Sequence, residues 1–71
     1  MVVGMNTIGE IFKREREKKN LSIEDVHQAT KIHPSVISAI EKDKVGRILS
    51  PVYAKKFISK YAQFLGIAAE V

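Results

Sequence analysis

The stretch that decides the fold is Ser22–Glu41, SIEDVHQATKIHPSVISAIE. Ser22 with Asp25 three positions on is a helix-start signal, because the serine hydroxyl covers an orphan amide while the aspartate reaches back to the serine backbone. Ile23, Val26 and Ala29 or Thr30 then fall on the inner side of that helix. Lys31 and Ile32 allow only a tight connection before His33-Pro34, and proline suits the first helical position, where its missing amide hydrogen would be an orphan anyway. Ile37 and Ile40, with Val36 beside them, mark the inner face of the next helix, which the pattern extends to about Asp43 or Lys44. Two short helices joined by about three residues make a helix-turn-helix pattern.

Working toward the N-terminus, Thr7-Ile8-Gly9-Glu10 reads as another capping box and starts a helix with Ile8, Ile11 and Phe12 on its apolar face. Lys13–Lys19 is highly charged, and Asn20 can take the left-handed conformation that ends a helix. Toward the C-terminus, Val45–Leu49 is the longest irregular connection, Ser50 and Pro51 open a fourth helix, and Gly66 closes it with Ile67 packing back. The chain is therefore read as all-α, with residues 1–6 a disordered N-terminus or expression remnant, 7–66 the helix-turn-helix domain, and 67–71 the start of a truncated fifth helix or a tail.

Seventy-one residues suit one domain, near the size where a single core is marginal. With no cysteine, neither a disulfide framework nor a thiolate metal site is available. His27 and His33 are six residues apart across a turn without a supporting ligand pattern, so no metal or other cofactor is expected. No apolar run spans a bilayer and no signal sequence is present, which favours a cytoplasmic location. Twelve Lys and Arg against eight Asp and Glu give a net charge of +4, which favours an anionic partner: DNA, an acidic protein face or a membrane leaflet. Ser22 and Ser50 are read as caps, no histidine has an evident carboxylate to orient it, and no glycine-rich phosphate loop occurs, so the chain is not read as an enzyme.

The fourth helix carries two apolar stripes. Ala54, Ile58, Tyr61 and Leu65 recur at core-facing spacing, and Tyr53, Phe57, Lys60 and Phe64 repeat the pattern on a line rotated by about 100°. The second line holds three of the five aromatic residues. It is either a docking surface or the seat of the first or the truncated fifth helix.

From Ile8 to Ile67 the chain resembles the cytoplasmic helix-turn-helix domain of RodZ-like bacterial cell-shape proteins, itself a relative of phage-repressor DNA-binding domains. The residues that carry the resemblance are Arg16-Glu17 before Leu21-Ser22, Thr30-Lys31-Ile32, Ala39-Ile40-Glu41, and above all Pro51-Val52-Tyr53-Ala54 followed by Phe57 and Tyr61-Ala62. The resemblance implies a compact repressor-like bundle of four helices plus the start of a fifth. It also implies an adaptor role in which the fourth helix docks on the actin-like filament protein MreB, with a natural full-length protein anchored in the inner membrane through residues beyond this chain. Tyr53 and Phe57 occupy the docking positions, with Phe64 as a further apolar anchor and Lys56 and Lys60 as rim charges. Three positions depart from the pattern: His27 replaces a small alanine where the second and third helices cross, Leu49 a usual proline, and Lys56 a frequent glycine.

The repressor-like arrangement further implies that Arg16, in line with Ile8 and Phe12, meets Glu41 in a structural ion pair. It also makes the third helix a candidate DNA reader, and a DNA-binding transcriptional regulator is the alternative function. His33, Ser35 and Ser38 are its polar candidates for bases, with Lys31, Lys42, Lys44 and Arg47 for phosphates. None of the three offers the bidentate geometry that discriminates bases strongly, so duplex binding is expected to be weak, salt-sensitive and non-specific.

Overall fold

The computed structural model describes residues 7–67, and the expectations for residues 1–6 and 68–71 lie outside them. Four α-helices follow in order: α1 (Ile8–Lys18), α2 (Ile23–Thr30), α3 (Pro34–Glu41) and α4 (Pro51–Leu65), with a 3-10 turn at Val45–Arg47 before the last. Among the described residues there is no strand. The segment read as the longest irregular connection thus contains a turn of helix, which puts Val45 into the core.

Local chemistry sets the helix starts. In α2 the Ser22 hydroxyl accepts from the Asp25 amide at 3.0 Å and the Asp25 carboxylate accepts from the Ser22 amide at 2.8 Å, completing the box. In α1 the Thr7 hydroxyl accepts from the Glu10 amide, but among the described residues Glu10 does not return the bond. Ser50 precedes α4 with no side-chain cap, so Pro51 and backbone bonding alone start that helix. Before α3 the His33 ring, through Nδ1, accepts from the Ser35 amide.

Each helix is stopped by a residue with positive φ: Asn20 (56°), Lys31 (65°), Asp43 (59°) and Gly66 (80°). Asp43 corrects the expected end of the third helix, which finishes at Glu41, because the chain reverses there and the Asp43 carboxylate accepts from the Gly9 amide at 3.0 Å. A distant side chain thereby caps an orphan amide of α1. Gly9 itself admits no side chain, since a Cβ would sit 2.5 Å from the Glu41 carbonyl oxygen. The turn between α2 and α3 is held by Thr30, whose hydroxyl donates to the Val26 carbonyl and accepts from the Ile32 amide. That task buries Thr30 and leaves Ala29 exposed.

The core gathers Phe12, Val26, Ile32, Ile37, Ile40 and Val45 with Ala54, Tyr61, Ala62 and Leu65 of α4. The Phe12 and Tyr61 rings meet edge to face with centroids 5.1 Å apart. Ile8, read as part of the inner face of α1, is instead 57% exposed, and Gly9, Phe12 and Arg16 form the buried line. His27 is half-buried with Nδ1 2.9 Å from the Ile32 carbonyl oxygen, so the ring at the helix crossing is tied to the turn. Ile67 packs on the core, and its amide donates to the Ala62 carbonyl.

Candidate functional site

The most polar part of the interior is a three-residue network rather than a ligand site. The Arg16 Nε donates to Glu41 Oε2 at 2.7 Å, Nη2 donates to Oε1 at 3.1 Å, and Nη1 donates to the Leu21 carbonyl at 2.8 Å. The Tyr61 hydroxyl donates to the same Glu41 Oε2. The hydrogen bond to Glu41 raises the Arg16 pKa above its ordinary value despite burial. Burial raises the Tyr61 pKa well above its ordinary value, and the bond to Glu41 adds to the effect. All these bonds join α1, α3 and α4 or fix the end of α1, and every buried side-chain polar atom among the described residues has a partner. The network specifies how the three helices cross.

Two surfaces stand outside this interior. The first is the outward side of α4, where Tyr53 is 57% exposed and Phe64 37% exposed, with Lys56 and Lys60 exposed between them. Phe57 differs from Tyr53, being half-buried and packed against the core. The core-facing side of α4, rotated by about 100° from the outer line, carries Ala54, Tyr61, Ala62 and Leu65 into the interior, so of the outer aromatics only Phe57 packs on the core. The outer line's tyrosine and phenylalanine rings with flanking lysines can bury an apolar partner while offering charge at the edge.

The second surface is an open groove between the outward side of α3 and the 3-10 turn, with a volume of about 580 Å³. It brings together Ser35, Ser38, Lys42, Lys44 and Arg47. Lys31 and His33 do not line it; they stand at the turn before α3, where the His33 Nδ1 is engaged by the Ser35 amide. Four apolar residues, Val36, Ala39, Ile48 and Leu49, complete the groove, and sequence reasoning did not assign these to any site. Val36 sits beside Ile40 at the margin of the inner face and Ala39 on the flank turned from Ile37, positions that helical spacing shows, whereas Ile48 and Leu49 fall where no periodicity exists to read.

Among the described residues no three His, Asp or Glu side chains converge to hold a metal ion, and the two histidine rings lie with centroids 6.5 Å apart at the turn. No described helix is long and apolar enough to cross a membrane.

Known proteins give this arrangement a context. The family model described as a helix-turn-helix domain matches residues 11–71. The chain is 34% identical over 64 residues to an uncharacterized protein of Haemophilus influenzae, covering 89% of this chain and 21% of the relative. It is also 34% identical over 56 residues to the cytoskeleton protein RodZ of Streptococcus pneumoniae, covering 79% of this chain and 20% of that protein. The chain thus spans about a fifth of the length of these curated relatives. No solved structure matches it.

Proposed function

We propose a binding function on one established premise: this chain belongs to the helix-turn-helix domain family, as a RodZ-like member. Its role is that of a cytoplasmic adaptor in a cell-shape protein, docking through the outer side of α4 on an actin-like filament protein of the MreB type. In the whole protein, membrane attachment comes from residues other than those of this chain. No catalytic step is assigned to it.

The observation that carries this reading is the exposure of Tyr53 on a helix whose neighbouring line of residues, Ala54, Tyr61 and Leu65, already supplies the core. Leaving a large ring in water forgoes up to about 1.5–3 kcal/mol of burial, which a partner recovers on docking. Phe57 and Phe64 extend the apolar line, and Lys56 and Lys60 supply its charged edge. The test is a titration of MreB-type filament protein against the wild-type domain and Tyr53→Ala, paired with thermal melting. Truncating an anchor is expected to remove about 2 kcal/mol, or weaken binding about 30-fold, with near-normal melting. Unchanged binding removes Tyr53 from the interface. Phe57→Ala is the less clean variant, because Phe57 touches the core and its loss lowers melting as well.

A second reading, duplex binding through α3, draws support from the convergence of Lys42, Lys44 and Arg47 with Ser35 and Ser38. These groups suit phosphates better than base edges, so the binding on this reading is weak and indifferent to sequence.

A further inference from the structure

We infer that the groove between α3 and the 3-10 turn is a binding site for an acidic amphipathic helical segment of a partner protein. None of the residues lining the groove belongs to α4, so this inference goes beyond the filament reading and stands or falls without it.

The groove has two kinds of lining. Val36, Ala39 and Leu49 are half-buried and rest on the core, while Ile48 is 52% exposed at the edge. Lys42, Lys44 and Arg47 are all exposed around the same opening, and no carboxylate lines it. Among the described residues the ion pairs Arg16–Glu41 and Lys18–Glu15 involve none of these three cations. A concave opening ringed by one sign of charge concentrates anionic partners. An apolar floor adds burial for a side chain that projects into it.

The floor selects among anionic partners. A nucleic acid duplex satisfies the cations, yet its base edges would meet methyl and methylene groups rather than donors and acceptors. A membrane surface meets the edge cations and Ile48 but presents no projecting side chain to fill a depression. A helix with leucine or phenylalanine at i and i+4, flanked by glutamates or aspartates, satisfies floor and edge together. Ser35 and Ser38, at the α3 side of the groove, supply hydroxyls to such a helix's polar margin.

The experiment uses the 71-residue chain and fluorescence anisotropy with three synthetic helical peptides: an acidic one with paired leucines, the same peptide with its leucines changed to serine, and the same with its glutamates changed to lysine. The acidic leucine peptide is expected to bind, and the other two at least about tenfold more weakly. Lys44→Glu with Arg47→Glu, and separately Ile48→Ser, should each weaken the acidic leucine peptide about tenfold at unchanged melting, while Tyr53→Ala leaves it untouched. Equal binding of the serine peptide overturns the inference, as does unchanged affinity in both groove variants. Tighter binding of a random-sequence DNA duplex or of phosphatidylglycerol vesicles than of the acidic leucine peptide, lost in the same charge-reversed variant, overturns it too.

Discussion

Replacing Arg16 by methionine keeps most of its volume and removes its charge, and the consequence follows from what Glu41 is left with. The Glu41 side chain is 5% exposed, and the substitution strips both guanidinium donors from its two oxygens. Only the Tyr61 hydroxyl remains. A buried carboxylate stranded this way typically costs about 3–5 kcal/mol. A chain of this length has about 4–11 kcal/mol of total stability, so the variant is expected to be marginal. At about 4–8 °C per kcal/mol for a small domain, the melting temperature should fall by about 12–40 °C. The informative control is Arg16→Met combined with Glu41→Leu and Tyr61→Phe, which strands no polar partner within the triad. Replacing a whole buried polar group by apolar residues is often close to neutral, so the triple variant should regain most of the loss. Urea and thermal melts of the wild type, the single and the triple variant measure this. A single variant losing less than about 1 kcal/mol, or a triple variant no more stable than the single, would show that Glu41 is not a stranded buried charge without Arg16.

Gly9→Ala should destabilise by about 1–3 kcal/mol in a urea melt, because the new Cβ would lie 2.5 Å from the Glu41 carbonyl oxygen and force α1 away from α3. Tyr61 makes stability sensitive to alkali. Its native pKa is raised above the ordinary 10.0, so its contribution is complete below about pH 10 and is lost as pH rises through the native value. Melting of wild type and Tyr61→Phe across this range should show the steeper alkaline decline in the wild type, and parallel curves would contradict the assignment. For DNA, random-duplex selection should return no motif, and binding should weaken steeply with salt, with dissociation constants of about 10⁻⁴ to 10⁻⁶ M at physiological salt. A motif preferred about 1000-fold over background would show that α3 reads bases after all.

Features determined within a few residues were legible in the sequence. The Ser22–Asp25 box, Pro34 and Pro51 at helix starts, and Gly66 with Ile67 at the last helix end all act locally, so their residue types announce them. The end of α3 was less legible because the residue that turns the chain, Asp43, is also engaged by Gly9, 34 positions away. Periodicity alone left Ala29 and Thr30 open. The structure chooses Thr30, whose hydroxyl can bridge the turn while a methyl cannot. The Arg16–Glu41 contact came from the repressor-like pattern, whereas the three-way geometry with Tyr61 depends on how α4 crosses the other two helices, which no single segment encodes. On the outer line of α4, spacing assigns Tyr53 and Phe57 equally, but their depth depends on neighbouring elements, and Phe57 settles against the core. The groove was hardest to foresee, since half its apolar lining comes from the turn after α3.

The proposed function has α4 present its outer line to an actin-like filament protein. Amide chemical-shift mapping of the isotopically labelled domain against MreB-type protein tests it most directly, because it reports every face at once. Signals of Tyr53, Lys56, Phe57, Lys60 and Phe64 are expected to shift or broaden first while those at the α3 groove stay in place. Perturbations confined to Ser35–Arg47, with the α4 signals unmoved at saturation, would contradict it.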